Sequence, residues 1–317
     1  MKLLFTNVGR RTYMVEFALE LMRRGMDLNV AVADCTLETP GFYVSPEIPH
    51  FLTPPVTDDE DVFCERLLDL SRAQGIDVVI PLSDFEIPVL AAWKDRFIEA
   101  GTRIIVSDHD VVENCMDKQR FYATCLSNEI PTPKTFFSET DFDGVLPCVQ
   151  KRIRGSASVG LSIIRDGGNM PTFQEGRDMR QTFIEGREYH IDILNNLDGG
   201  YLHCCAKEKI SMRAGETDKS RIVENDDLTA LASDLSAVFG HVGNMDADVI
   251  VNAMGEPFCI DLNPRFGGGY PTTHLAGLNY LEAILKMAQG GAASAFGAPL
   301  PLVVMKGISL HAYEAQP

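Results

Sequence analysis

The sequence predicts an α/β chain whose first third is a Rossmann-like parallel-sheet unit and whose remainder turns α+β. Three observations predict it. Residues 3–34 run strand, glycine turn, helix, strand, the order that builds a parallel sheet. After Ser107 the pattern changes to strand pairs joined by Gly-rich turns, at 146–165 and 188–205. Residues 246–263 place two apolar runs around a polar turn at 252–257, which is a hairpin signal.

Taken in order, residues 3–8 form a buried-strand run, and Gly9-Arg10-Arg11 turns the chain. Val15, Phe17, Ala18, Leu21 and Met22 mark a helix that stops at Gly25, because they recur on one helical face. Residues 28–33 are the next strand, closing at Asp34. The turn at 7–12 lacks G-x-G-x-x-G, so a βαβ unit without its own dinucleotide is favoured over a dinucleotide site. Residues 35–57 read as irregular, 59–74 as a helix, 77–81 as a third strand, 88–100 as a helix and 103–106 as a fourth strand. This α/β unit closes near residue 110.

Residues 114–128 then read as one helix, and 146–153 and 161–165 as two strands around a loop of small residues. Residues 188–194 and 201–205 form an antiparallel hairpin, and 207–219 read as a basic, loop-like stretch. Residues 226–241 are an amphipathic helix with Asp at its start, where the helix dipole favours acids. A helix over 272–288, a small-residue linker at 290–299 and a last strand over 300–311 complete the chain.

The bulk properties narrow the function. At 317 residues, two or three domains are expected. A net charge of −17 argues against non-specific nucleic-acid binding, which needs a basic footprint, but leaves room for an anionic ligand on local Lys and Arg. No apolar run is long enough to span a bilayer. The N-terminus turns polar too soon for a signal peptide. The eight cysteines form no C-x-x-C pair, so reduced thiols in a cytoplasm are expected.

The chemistry concentrates in 246–269. Asp246 and Asp248, and Asp261 and Asn263, stand two apart, and i and i+2 share one strand face. Asp248 can therefore lie beside Asp261 and Asn263. Oxygen donors without His or Cys suit Mg²⁺, which usually shares its site with substrate phosphates. Arg265 follows at once, and its planar fork suits a phosphate. The bland alternative is an edge hairpin with a solvated polar face. Upstream, Lys151 precedes the loop Gly155-Ser156-Ala157-Ser158-Val159-Gly160. Small residues let backbone N–H groups approach phosphates, although this loop is no Walker A. His190, His203, His241 and His274 show no motif spacing.

The ordered set Lys118, Lys151 with the 155–160 loop, residues 181–188, Asp248, Asp261-Leu-Asn263-Pro-Arg265 and Gly267 to Gly269 resembles the ATP-grasp superfamily. It is most similar to the carbamoyl-phosphate-synthetase-large-chain-like branch of carboxylate–amine ligases. The resemblance implies a pre-ATP-grasp domain at 1–110, a small lid subdomain at 111–186 and a large subdomain at 187–317. It implies that Lys118, Lys151, Gly155, Ser156, Ser158 and Gly160 hold nucleotide phosphates. Gln181, Phe183 and Ile184 would read adenine through the backbone, with Glu188 near the nucleotide. Asp248, Asp261 and Asn263 would bind Mg²⁺ (with Mn²⁺ able to substitute). Arg265 would face the transferred phosphoryl group, with Lys209 and Arg213 facing the phosphate or acyl phosphate.

The expected reaction activates a small carboxylate as an acyl phosphate with ATP, couples it to an amine, and releases ADP and phosphate. Arg10, Arg11, Asp84, Glu86 and residues 267–271 are candidates to touch the two substrates, and a homodimer is the family's common habit. Three departures stand out. Arg152 follows Lys151 where relatives commonly have Pro, position 261 is Asp where many have Glu, and little sequence follows the ATP-binding part. The rival readings are a carboxylating or formylating ligase, a nicotinamide-dependent dehydrogenase on residues 1–110, and a non-catalytic nucleotide-binding regulator.

Overall fold

A computed structural model of the chain describes residues 1–155, 160–213 and 215–312. Its first sheet is wholly parallel, with strands β1 (Lys2–Thr6), β2 (Asn29–Asp34), β3 (His50–Leu52), β4 (Val78–Pro81) and β5 (Arg103–Ile104) in the order β3-β2-β1-β4-β5. Both faces are covered, as parallel sheets require. Leu3, Phe5, Val30 and Val32 pack with Val15 and Ala18 of α1 (Thr12–Arg23). Leu4, Ala31, Ala33 and Val79 pack with Phe63 and Leu67 of α2 (Glu60–Gln74) and Leu90 and Phe97 of α3 (Ile87–Glu99). Asp59 caps α2 by accepting from the Val62 N–H at 3.0 Å. The strand order reverses between β1 and β4, the position at which open α/β sheets bind ligands. The stretch read as irregular contains β3 and a short 3₁₀ turn, Pro40–Tyr43.

The helix expected over 114–128 is two helices, α4 (His109–Met116) and α5 (Lys118–Ser127). Asp117 breaks it, because its carboxylate accepts from the Gln119 and Arg120 N–H groups and restarts the helix as an N-cap. A small antiparallel sheet follows, ordered β6-β9-β7-β8, from β6 (Thr135–Phe136), β7 (Cys148–Arg152), β8 (Ser162–Ile164) and β9 (Asp178–Thr182).

The large antiparallel sheet has β10 (Gly186–Asn195), β11 (Tyr201–Arg213), β12 (Glu216–Ile222), β13 (Asn244–Asn252), β14 (Pro257–Asn263) and β15 (Val303–Met305), in the order β14-β13-β10-β11-β12-β15. The loop-like reading of 207–219 is corrected here, because most of the stretch is strand. Apolar alternation fails there because the inward positions are Lys207 and Lys209, each buried against acids. The final strand is shorter than expected, only β15.

Ile191, Ile193, Ala206, Met245, Ala247, Val249 and Leu262 form one core with Phe121 and Cys125 of α5 and Leu228, Leu231 and Leu235 of α6 (Asp226–Phe239). The helix expected over 272–288 splits into α7 (Tyr270–Leu275) and α8 (Tyr280–Ala288). Gly277, at φ +91°, turns the chain where an L side chain would be strained, and Asn279 caps α8. Tyr270, Leu281 and Ile284 join the core of α1, tying the two parts of the chain together. Among the described residues no helix is long and apolar enough to cross a membrane.

Candidate active site

The face of the large sheet opposite α6 is polar at alternate positions of four adjacent strands. β10 presents Glu188, His190 and Asp192; β11 presents Lys207 and Lys209; β13 presents Asp246 and Asp248; β14 presents Asp261 and Asn263. The register pairs His190 with Asp248 and Lys207, Asp248 with Asp261, and Asp246 with Asn263. Directly opposed residues have Cβ atoms about 4.5–5.5 Å apart. The expected triad Asp248, Asp261 and Asn263 therefore lies on one face, with the turn at 252–257 fixing the register through Asn252, whose side-chain oxygen accepts from Met254 and Glu256 at 2.9 Å each.

Lysines from three directions close on these acids. Lys118, at the start of α5, lies 3.1 Å from Asp261 and donates to the Gly155 carbonyl at 3.2 Å. Lys151, on β7, donates to the Ile260 carbonyl at 3.0 Å. Burial pushes the Lys151 ammonium down to about 8, with Lys118 adding to the effect and Asp261 and Asp248 opposing it. Lys209 sits 2.9 Å from Asp248 and 3.0 Å from Glu188. Burial alone would lower Lys209; Asp248 and Glu188 outweigh it and hold the ammonium above the ordinary lysine range. Burial likewise disfavours the Asp248 carboxylate, and Lys209 and His190 overcome that and keep its pKa low.

At the other end, the Arg265 Nε donates to Asp84 at 2.6 Å, and its Nη1 lies 3.6 Å from Asp246. Burial disfavours this cation, and Asp84 more than compensates. Asp84 follows β4, so the contact joins the switch point of the first sheet to the polar face of the second. The adjoining turn needs glycine at 267, where a Cβ would fall 2.1 Å from the Asp246 carboxylate. Asp246 is itself held well below the carboxylate range: burial would raise it, and His190 and Arg265 outweigh burial.

Lys118, Lys151, Glu188, Lys209, Asp248 and Asp261 thus converge, with Asn263 and Arg265 beside them. Others stand apart. Arg213, at the end of β11, pairs with Asp218 at 2.6 Å and donates to the Lys306 carbonyl at 3.3 Å. The Gln181 side chain is spent inside the small sheet, donating to Thr135 at 2.9 Å. Phe183 packs under the Arg165 guanidinium, Ile184 is half-buried, and Gly160 lies past the loop. Ser156 and Ser158 lie outside the described residues. The residue that spacing missed is His190. Its Nδ1 is 3.0 Å from Asp246 and 3.2 Å from Asp248, within ion-pair reach of both but aligned for a hydrogen bond to neither. Its Nε2 meets the Thr217 hydroxyl at 2.7 Å. The alternation Glu188, His190, Asp192 is the signal that marks it.

Among the described residues no three His, Cys, Asp or Glu side chains form a ready metal cage. Two carboxylates and an amide fit Mg²⁺, which keeps waters and takes ligands from substrate phosphates. Lys118 and Lys209 neutralise the same two carboxylates. The polar face therefore balances acids with lysine cations suited to a polyphosphate.

Residues 115–269 match the ATP-grasp domain family, and residues 3–105 match the PylC-like N-terminal domain family. The chain carries an ATP-grasp domain. A D-alanine–D-alanine ligase of Cupriavidus pinatubonensis (strain JMP 134 / LMG 1197) is 26% identical over 206 residues, covering 54% of this chain and 62% of that protein. The chain thus spans less than two thirds of that relative. The fold is also that of N5-carboxyaminoimidazole ribonucleotide synthetase from Thermotoga maritima, with TM-score 0.72 and 19% identity over 95% of this chain and 79% of that one. L-amino acid ligase from Bacillus licheniformis gives TM-score 0.71 and 17% identity over 90% and 73%.

Proposed function

We propose that the chain is an ATP- and Mg²⁺-dependent ligase that activates a small carboxylate as an acyl phosphate and joins it to an amine. The observation that carries this reading is the convergence of Lys118, Lys151 and Lys209 on the cross-strand pair Asp248 and Asp261, inside an ATP-grasp domain.

A carboxylate is a poor acylating agent until its oxygen carries a good leaving group. The substrate oxygen attacks the γ-phosphorus, the bond to the β-phosphate oxygen breaks, and ADP leaves. The amine then attacks the acyl carbon, phosphate departs, and the ammonium proton passes to solvent. Phosphoryl transfer needs positioning and charge neutralisation more than covalent help from the protein. Lys118 and Lys151 would hold nucleotide phosphates. Asp248, Asp261 and Asn263 would hold Mg²⁺ (or Mn²⁺), which would offset the negative charge of the phosphates. Arg265, fixed by Asp84, would meet charge on the transferred group, with Lys209 on the same face. Arg213 belongs to the reading only as a support for the segment that carries Lys306. Gly155, Ser156, Ser158 and Gly160 would cover the phosphates, residues 181–184 would read adenine through the backbone, and Glu188 would lie near the nucleotide.

The eight cysteines are free thiols, which suits a reducing cytoplasm. A cytoplasmic homodimer, with small-molecule carboxylate and amine as its partners, completes the proposal. The test is ADP release over pools of carboxylates, bicarbonate included, and amines. The ligase reading expects ADP only when one carboxylate and one amine are both present. ADP released with bicarbonate and no amine would replace it by a carboxylating reaction.

A further inference from the structure

Beside the phosphoryl-transfer end of the site lies a cluster of cations that the reading above leaves unused. Glu216, at the start of β12, lies 3.3 Å from Lys306 and 3.8 Å from Arg11 through its two oxygens. Arg10 is near enough to act on the same carboxylate: burial would raise Glu216, and Lys306, Arg11 and Arg10 together hold it below the ordinary range. One acid thus faces three cations, in a chain whose net charge is −17. Lys306 also stands 5.3 Å from the Tyr13 ring centre, and its backbone is fixed by bonds to Asp218 and from Arg213.

Two donors in this cluster are buried without a hydrogen-bond partner, the Arg11 Nη1 and the Tyr13 hydroxyl. Buried polar groups are nearly always paired, so two orphans in one cluster call for a ligand. Burial also keeps the Tyr13 phenol neutral, hence a donor. The cluster adjoins the reacting end. The Tyr13 hydroxyl feels Arg11 and Glu216 of this cluster and also Arg265 and Asp246 of the site. The turn after Arg265 packs on Glu216, since a Cβ at Gly268 would fall 3.3 Å from the Glu216 Cβ.

We propose that Arg11, Tyr13 and Lys306 form a subsite for a second anionic group of the substrate, a carboxylate or a phosphate separate from the carboxylate that reacts. Arg11 and Lys306 supply the charge, the Tyr13 hydroxyl and Arg11 Nη1 supply the free donors, and Glu216 holds both cations in place until the anion arrives. The identity of the ligand as substrate rests on the ligase reading; the binding itself does not, and is measured without turnover.

The test titrates the full chain by calorimetry with succinate, inorganic phosphate and acetate, with and without a non-hydrolysable MgATP analogue. Succinate or phosphate is expected to bind at least about tenfold more tightly than acetate, as charge-assisted bonds to a second anion imply. Arg11→Met and Lys306→Met should each cost about tenfold of that preference, one charge-assisted contact apiece, with binding of the analogue unchanged. A preference for succinate alone assigns the group as carboxylate, and one for phosphate alone assigns it as phosphate. Equal binding of all three anions, no binding of either larger one, or a preference that survives in both variants overturns the subsite. The last outcome covers phosphate seated at Lys118 and Lys151 instead. Should the cation variants fail to melt cooperatively, Tyr13→Phe decides: an unchanged preference in that folded variant overturns the proposal. Failure of the analogue to bind, with anion preference intact, defeats the ligase reading and leaves the subsite standing.

Discussion

On one face of the six-stranded sheet, Ile191, Ile193, Met245, Ala247 and Val249 are shut beneath α5 and α6. On the other, at alternate positions of the same strands, stand Glu188, His190, Asp192, Asp246 and Asp248. The difference teaches how a charge-dense site is kept in place. Burying like charges together costs free energy, and ion pairing repays only part of it. The apolar face is free of that conflict, so it can supply the stability and fix the register. A slip of one residue would exchange the faces, placing four acids and a histidine under α6. The polar face can then be selected for chemistry.

Breaking each face in turn should give opposite results. Asp261→Ala on the polar face should lower turnover by about 10²–10³-fold or more, the scale of losing one preorganised electrostatic group; ADP-release rates at saturating substrates check it. Normal turnover would remove Asp261 from the site. On the apolar face, Leu235→Ala should cost about 2–5 kcal/mol of stability by opening a cavity, because Leu235 is wholly buried. Denaturant melts measure this loss, and the rate per folded molecule should stay close to that of the parent. Loss of rate without loss of stability in that variant would blur the division of labour between the faces.

In the first sheet's unit, by contrast with the polar face, Glu86 is fully buried immediately before α3. Burial raises its carboxyl to about 7, against hydrogen bonds from Asn7 and from the Leu82 and Ser83 N–H groups. A folded pKa above the unfolded one makes the native state prefer the proton, so this contribution is full below the unfolded value and is lost as pH rises toward 7. The loss amounts to about 3 kcal/mol at ~1.4 kcal/mol per unit. The stability difference between the parent and Glu86→Gln should therefore shift against the parent between pH 4.5 and 7; a difference flat across that window would mean that Glu86 is charged throughout. The smallest effect is expected where the two sheets meet. Gly267→Ala pushes a methyl group into the Asp246 carboxylate and should cost about 1–3 kcal/mol, the usual range for overpacking, with a parallel fall in ADP release. An unchanged melt would show that the turn has room to yield.

The strands and turns that follow simple rules were readable in the sequence. The βαβ opening, the hairpin at 246–263 and the acidic start of the helix read over 226–241 all rest on local patterns. The two lysine positions, Asp248 and Asp261 were readable through spacing joined to family resemblance, although they meet only in the folded chain. What escaped had physical causes. The strands through 206–222 hide because their inward residues are lysines paired with distant acids. The breaks at Asp117 and Gly277 turn on a single cap and a single left-handed residue inside otherwise helical runs. His190 carries no motif of its own and gains its place from cross-strand neighbours. Lys306 reaches Glu216 and Tyr13 only because β15 pairs with β12, a contact that no spacing announces.

The central claim, that the polar face of the large sheet is a Mg²⁺–ATP site, is tested most directly by titrating ATP into the full chain with and without Mg²⁺, alongside Asp261→Ala. ATP binding that needs Mg²⁺ and weakens by at least about tenfold in the variant, one charge-assisted interaction lost, is the predicted result. Affinity that is the same with and without Mg²⁺, or that Asp261→Ala leaves untouched, would contradict it.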